Sequence, residues 1–377
     1  MANKWCLLLV GLLAAMAQAA PLLLQGKIGE AAVVMELDID DAGQVMGRYF
    51  YRKYHRDIAL DGSTQEDGSL VLGENLRSDE RRSDLILHPQ GQGWQGQWQG
   101  PKAAQPLPVV LKPLLPAQLT PSSDPALQPF RQSSPYDYER MAALKLVAGK
   151  IQRFQGYTLQ WWREPVSSIA SFRLQDGFDA ATRQRLNQRL AQRQWQGVTD
   201  YFDCLLGGSR AAGGDFEQTV TPRLVNRQLL SVSEFTSYYC GGAHPDFGDD
   251  PLNLDVTTGR ELQLEDLLWL GKGKPPLVRQ DNQDRVDIQY KYTVLAPWLQ
   301  RQFARLHPAV FKAGGQDDCD YNIPEVWQFV SWYATPKGLY LGPSFGRAVR
   351  ACEYPDWSVL PWSLVMKHPG AAGYRLP

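Results

Sequence analysis

The sequence predicts an α+β fold in which a small antiparallel β unit is joined by a proline-rich linker to a mixed or antiparallel sheet domain with packed helices. Three observations support this prediction. Short stretches of two-residue alternation recur up to residue 112, prolines crowd residues 113–136, and strand-like and helix-like periods are interspersed over 137–377.

Composition narrows the classes of partner. The chain has 377 residues, of which 44% are hydrophobic and 21% charged, with a formal net charge of -1, as is typical of a globular protein. No run of five or more basic residues occurs, so we expect no attraction to nucleic acid or to anionic membranes.

Residues 1–19 are predicted to be a signal peptide. Lys4 precedes an apolar run from Trp5 to Met16, and the small residues Ala17 and Ala19 follow at a position suited to cleavage. The run is too short to span a bilayer. We therefore expect a periplasmic or secreted protein that is not inserted in the membrane after the signal is removed.

Residues 20–112 are predicted to form the small all-β domain. "AVVMELDID" places Val33, Met35, Leu37 and Ile39 on one side of a half-buried strand, and turns such as "DDAG" follow. A curled sheet or meander is expected. "GQGWQG", from Gly91, fits G-x-G-x-x-G but is predicted to lie between strands rather than between a strand and a helix, so no cofactor is predicted.

The linker is predicted at residues 113–136. Between residues 112 and 136 the sequence "KPLLPAQLTPSSDPALQPFRQSSPY" contains six prolines and has little periodicity. Proline keeps a chain extended, so a semi-rigid spacer is expected.

The α+β domain is predicted over 137–377. "DAATRQRLNQRLAQRQW" indicates a helix with Asp179 as N-cap and Leu186, Leu190 and Trp195 near one face. A second helix, burying Leu306 among others, is expected from about Pro297, since proline is favoured in a first turn. "YTLQWWRE", "ASFRLQ", "LVNRQLLSVSEFTSYY", "LNLDV" and "ELQL" are typical of strands.

Four cysteines remain after the signal peptide. No Cys-x-x-Cys pair occurs, so disulfides are favoured over zinc and no metal site is predicted. Three pairings are possible. We favour Cys204 with Cys240 and Cys319 with Cys352, because each closes a loop of moderate length worth roughly 3 to 4 kcal/mol.

"GPSFG" around Ser344 fits the G-x-S-x-G of α/β hydrolases, and Asp356 and His368 follow in the corresponding order. That motif requires a parallel sheet with crossover helices, which the sequence does not predict. We therefore favour a turn that ends the strand "GLYLG".

His244 follows Gly241 and Gly242, whose backbone freedom suits a sharp loop. Histidine is a common general base, and its candidate carboxylate partners are Asp246, Asp249, Asp250 and Asp255. We favour the alternative in which the imidazole hydrogen-bonds backbone and locks a hairpin.

A region over residues 229–365 carries a family resemblance. "SVSEFTSYYCGGAHPDFGDDPLNLDVTTGRELQLEDLL" resembles the signature of an exported bacterial domain of unknown function. That domain is best known as the C-terminal half of the lysozyme-sensing anti-sigma factor ectodomain and as an accessory domain of a peptidoglycan deacetylase. The resemblance implies an α+β fold and binding to a lysozyme-like protein or to peptidoglycan.

These observations favour an exported, non-enzymatic binding protein of the cell envelope. The predicted binding residues are Tyr239, Gly241, Gly242, His244, Asn253 and Asp255. The alternative is a His-dependent hydrolase of an envelope substrate, with His244, Asp255 and Ser344 as its catalytic residues. The ligand and the oligomeric state are left open.

Overall fold

The structure is a computed structural model that describes residues 21–74, 83–209, 211, 213–273, 288–312 and 319–374. The signal peptide predicted for residues 1–19 lies outside these ranges. The chain divides into two compact units, the first ending at Leu119 and the second beginning at Thr120. The predicted domain boundaries themselves stay predictions.

The first unit contains eight antiparallel strands that close into a barrel in chain order, since β1 pairs with both β2 and β8. The strands are Leu22–Ile28 (β1), Ala31–Ile39 (β2), Gln44–Tyr51 (β3), Asp57–Thr64 (β4), Leu70–Glu74 (β5), Asp84–Gln90 (β6), Gly93–Gln99 (β7) and Leu107–Pro113 (β8). The curled sheet predicted here is thus a closed one, in which every strand has two partners.

The barrel core comes from the predicted alternation. Val33, Met35 and Leu37 are fully buried in one apolar cluster. Within this unit Glu74 is buried, and its Oε1 accepts hydrogen bonds from Tyr49 Oη at 2.5 Å and Trp98 Nε1 at 2.6 Å, which satisfies this buried acceptor. "GQGWQG" lies in the hairpin between β6 and β7, as predicted.

The proline-rich segment is not extended, and that expectation is wrong. It contains two 3₁₀ turns, Pro116–Gln118 and Pro125–Leu127, and two short helices, Gln128–Ser133 (α1) and Pro135–Met141 (α2). A proline stands in the first turn of each, where its missing N–H is not needed. Its role as a linker stays a prediction.

Among its described residues, the second unit contains three antiparallel sheets. Their strand orders are β11-β10-β9, then β12-β13-β14 with β15 also on β13, and β16-β17-β18. The strands are Val147–Phe154 (β9), Tyr157–Arg163 (β10), Ala170–Leu174 (β11), Asp215–Val225 (β12), Leu229–Tyr239 (β13), Asp246–Asp249 (β14), Leu252–Asp255 (β15), Ser331–Thr335 (β16), Gly338–Gly342 (β17) and Val359–Pro361 (β18). "ELQL", predicted as a strand, contributes only a bridge from Glu261 to Leu254.

Helix α3, Ala180–Ser209, is the longest helix in the described ranges. Asp179 Oδ1 accepts a hydrogen bond from Thr182 N at 2.9 Å, which confirms the predicted N-cap. Leu186 and Leu190 are buried in the same cluster as Val232 of β13. The helix therefore covers one face of the β12–β15 sheet, and it continues fourteen residues past the predicted end at Trp195.

The remaining helices pack in a separate hydrophobic cluster of the second unit. They are Leu264–Leu267 (α4), Ile288–Tyr290 (α5), Ala296–Leu306 (α6) and Trp362–Val365 (α7), with a π-helical turn at Lys291–Leu295. Leu299 and Phe303 are buried there, whereas Leu306, predicted to be buried, is exposed at the end of α6. Among the described residues, no helix is both long and apolar enough to cross a membrane.

Both favoured disulfides are confirmed. Cys204 on α3 is bonded to Cys240, the residue that follows β13, with an S–S distance of 2.03 Å. Cys319 is bonded to Cys352. The first bond ties the C-terminal part of α3 to the end of the sheet that the helix covers.

Candidate functional site

A cavity of about 560 Å³ lies between α3 and the sheet of β12, β13 and β14. We call it the α3 groove. It is lined by Arg193, Gln196, Gly197, Asp200, Asp203, Cys204, Phe216, Gln218, Glu234, Thr236, Tyr238, Cys240, Gly248, Asp249, Asp250 and Tyr354. Its volume is typical of a small-ligand pocket.

The helical wall of the groove follows from helix periodicity. Arg193, Gln196, Gly197 and Asp200 are spaced i, i+3, i+4 and i+7, so they share one face of α3. A Cβ at Gly197 would lie 2.8 Å from Gln218 Oε1, the end of a flexible side chain that would have to shift. The glycine thus lets the amide of Gln218 approach the helix.

The sheet wall follows from strand register. Phe216 is opposite Tyr238, and Gln218 is opposite Thr236, so the four side chains share the face that looks at α3. Thr236 of β13 also pairs with Gly248 of β14, the strand that flanks β13 on the side away from β12. A Cβ at Gly248 would meet only Tyr354 Oη, at 3.9 Å, so this strand leaves open space in the groove.

An ion pair closes one end of the groove. Arg193 Nε donates to Glu234 Oε2 at 2.7 Å, and the same guanidinium binds the Asp250 carboxylate and donates to its backbone carbonyl at 3.0 Å. Glu234 is only 4% exposed. Burial raises its pKa to about 7 although Arg193 opposes the shift.

Two further groove carboxylates are perturbed. Burial raises the pKa of Asp200, which accepts a hydrogen bond from Gln196 Nε2 at 2.9 Å. Burial also raises the pKa of Asp249, whose carboxylate accepts from Ser233 Oγ. The groove therefore presents carboxylate oxygen acceptors beside amides and aromatic rings. In the described part of the chain, no cluster of three or more histidines, cysteines or carboxylates could hold a metal ion.

A second cavity of about 390 Å³ adjoins the α3 groove and shares Asp249, Asp250 and Tyr354 with it. We call it the second cavity. Its other lining residues are Pro251, Asn253, Glu261, Leu262, Gln263, Phe329, Val330, Ser331, Trp332, Gly342, Pro343, Ser344, Arg350 and Glu353. The two cavities lie on either side of the connection from β14 to β15.

His244 lies in the loop between β13 and β14 and is exposed. Its ring makes no hydrogen bond or ion pair with any other described residue, so the prediction that it locks the hairpin is wrong. The bend is held instead by the Cys204–Cys240 bond and by Gly241, whose φ is +90°.

Asp255 and Asn253 have structural partners. Asp255 accepts hydrogen bonds from Thr258 N at 2.6 Å and from Tyr374 Oη. Asn253 is buried, accepts from Ser231 Oγ at 2.7 Å and donates to the Trp332 carbonyl at 2.9 Å. Asn253 thus ties β15 to the neighbouring sheet and also lines the second cavity.

The residues of the alternative catalytic set do not converge. Asp255 pairs with Leu229 at the start of β13, whereas His244 follows the other end of that strand. The two ends of β13, which has 11 residues, are roughly 33 Å apart. Ser344 is exposed in the second cavity, whose lining contains no histidine.

The "GPSFG" motif follows β17, which ends at Gly342, so the predicted strand-ending turn is confirmed. Ser344 N donates to the Val326 carbonyl at 2.8 Å. The imidazole of His368 packs against Trp298 with ring centroids 5.2 Å apart. Neither side chain is arranged as a nucleophile with its base.

Among the six predicted binding residues, only Asn253 lines either cavity. Sequence reasoning named four groove residues in other roles, Cys204, Cys240, Asp249 and Asp250. It missed the others, although one signal was visible. The face of β13 that carries Leu230 and Val232 continues with Glu234, Thr236 and Tyr238. An acid inside an apolar alternation indicates a buried charge with a partner, here Arg193.

No protein-family model matches the sequence, and no curated protein matches it. Among solved structures, it is similar to a member of the DUF3298 family from Bacteroides fragilis, at 15% identity and a TM-score of 0.29. That match covers 59% of this chain and 87% of the other. A likeness of this size supports no inference about fold or function, and the family resemblance given above stays a prediction.

Proposed function

We propose that the protein is an exported, non-enzymatic binding protein of the cell envelope whose α3 groove binds the sugar units of peptidoglycan. The observation that carries the proposal is the composition of the sheet wall. The rings of Phe216 and Tyr238 stand opposite each other, next to the Gln218 amide and the Thr236 hydroxyl.

This arrangement suits a pyranose ring. Aromatic rings pack against the apolar face of a sugar, while amides, hydroxyls and carboxylates exchange hydrogen bonds with its hydroxyl and acetamido groups. Gln196 and Asp200 add such groups from the helix. Since Arg193 is already paired with Glu234 and Asp250, it offers little attraction to an anionic ligand.

The same geometry favours binding over hydrolysis. The histidine-dependent alternative requires His244, Asp255 and Ser344 to meet in one cleft, and they lie apart. Glu234, the groove acid with the most perturbed pKa, is held by Arg193 rather than presented to a substrate. The two disulfides support an oxidising, extracytoplasmic location.

The test is retention of the mature protein on peptidoglycan sacculi, with Gly248→Leu as the blocking variant. The leucine would fill the groove without backbone strain, because Gly248 has open space around its Cβ position. We expect wild-type retention and at least a tenfold loss for the variant, equivalent to about 1.4 kcal/mol.

Gly242→Leu is the matched control. Gly242 also has open space around its Cβ position and lies outside the groove. The Gly242→Leu protein should therefore be retained on sacculi as well as wild type. Thermal melting verifies that all three proteins are folded. Failure of wild type to bind sacculi, or equal binding by Gly248→Leu, contradicts the proposal. Retention on immobilised lysozyme but not on sacculi would favour a lysozyme-like partner instead.

A further inference from the structure

The α3 groove and the second cavity share three lining residues, Asp249, Asp250 and Tyr354. Each cavity alone is within the roughly 300–1,000 Å³ of small-ligand pockets. Because they share these residues, the two cavities lie next to each other, within reach of one elongated ligand.

Tyr354 is held in an unusual way at the junction. Its φ is +61°, a left-handed conformation that is rare for a bulky residue and concentrates at functional sites. Its ring packs edge-on against Phe235 with centroids 5.6 Å apart, and its hydroxyl accepts a hydrogen bond from Asp249 N at 3.0 Å. These contacts hold the Tyr354 side chain against β13 and β14.

The second cavity repeats the chemistry of the groove. Its walls are mostly polar and include Ser331 and Ser344, while Phe329, at its edge, is 52% exposed. The Phe329 ring is oriented by Tyr292, which meets it edge-on at 6.2 Å. An exposed phenyl ring beside hydroxyl groups is again suited to a sugar ring.

We propose that the two cavities form one extended cleft that binds a linear glycan of several sugar units, with the α3 groove as its main subsite and the Phe329 side as a second one. This inference rests on the proposed function and specifies its ligand as an oligomer. It requires affinity to increase with chain length, because only a longer chain reaches Phe329.

The test is calorimetric titration with linear N-acetylglucosamine chains of two, four and six units. We expect the hexamer to bind wild type more than tenfold more tightly than the dimer. That rise exceeds the about fivefold statistical gain from additional binding registers on a longer chain. Phe329→Ala should weaken hexamer binding about tenfold and leave dimer binding unchanged.

Ile323→Ala is the matched control, because Ile323 is an exposed apolar residue that lines neither cavity. It should leave hexamer binding within about twofold of wild type. Equal affinity for all lengths, or equal losses in the two variants, overturns the cleft and leaves the proposed function standing. No binding at any length overturns both the cleft and the sugar class of the ligand.

Discussion

Gly241 and Gly242 are adjacent in sequence but stand under different constraints. Gly241 has a φ of +90°, and a Cβ there would lie 2.5 Å from the Gly207 carbonyl oxygen. Gly242 has no positive φ and nothing within 4 Å. Of the two glycines, Gly241 is thus the one with the left-handed conformation and the close approach to α3.

Gly241→Ala should lower the free energy of unfolding by about 2 kcal/mol or more, because alanine is strained at positive φ and would collide with α3. Gly242→Ala and His244→Ala should each stay within about 0.5 kcal/mol of wild type, as is usual at exposed positions. Urea denaturation measures all three. A large effect of His244→Ala together with a neutral Gly241→Ala would contradict this account of the bend.

Glu234 makes stability depend on pH. Its folded pKa of about 7 lies above the value of an exposed glutamate, so the folded state binds the proton more tightly. The stabilisation is fully present below the unfolded pKa and is lost as pH rises through about 7.

Relative to Glu234→Gln, wild type should therefore lose up to about 3 kcal/mol of unfolding free energy between about pH 4.5 and pH 7. Urea titrations of both proteins across this range measure the difference. The variant removes only the ionisable carboxyl of Glu234, so the difference between the two curves measures what that carboxyl contributes. Parallel curves would show that Glu234 is not the group responsible.

At the scale of elements, α3 and β13 are joined by packing of Leu186 and Leu190 in one cluster with Val232 and by one covalent bond at the end. Cys204 and Cys240 both line the α3 groove. The other disulfide, Cys319–Cys352, lies outside both cavities. The two bonds close loops of similar length, with sequence separations of 36 and 33 residues.

Replacing either pair with alanines should lower the free energy of unfolding by about 3–4 kcal/mol, since the loop lengths are similar. Only the Cys204→Ala/Cys240→Ala variant should also lose retention on sacculi, because it releases one end of the groove. Denaturation and retention assays on both double variants separate the effects. Equal losses of retention would indicate a general effect of stability rather than of groove geometry.

At the scale of the whole molecule, each unit has its own core. The barrel strands pair only with one another among the described residues, and their apolar side chains form a cluster with no member beyond residue 119. Closing a sheet on itself removes its free edges. The second unit has separate clusters on the two sides of its central sheet.

We expect the fragments 20–119 and 120–377 each to fold alone, because neither core needs residues from the other fragment. Circular dichroism and cooperative urea unfolding of the purified fragments measure this. A barrel fragment that lacks a cooperative transition would show that its stability depends on the rest of the chain.

Features that depend on local spacing could be predicted from the sequence. Two-residue alternation identified β2, an acidic N-cap located the start of α3, and loop length favoured the correct cysteine pairing. It misjudged the proline-rich segment because prolines in first turns and prolines in extended chain look alike without their partners. It also assigned His244 a structural bond that its exposed position does not provide.

The position of the candidate site could not be predicted and became visible in the three-dimensional structure. The groove brings Arg193 and Asp200 of α3 beside Gln218 and Glu234 of the sheet, and their facing depends on strand register and on how the helix packs. Register and packing are set by contacts between residues far apart in the chain, and those contacts have no local signature. The physical reason is that a cavity is a property of surfaces that meet only after folding.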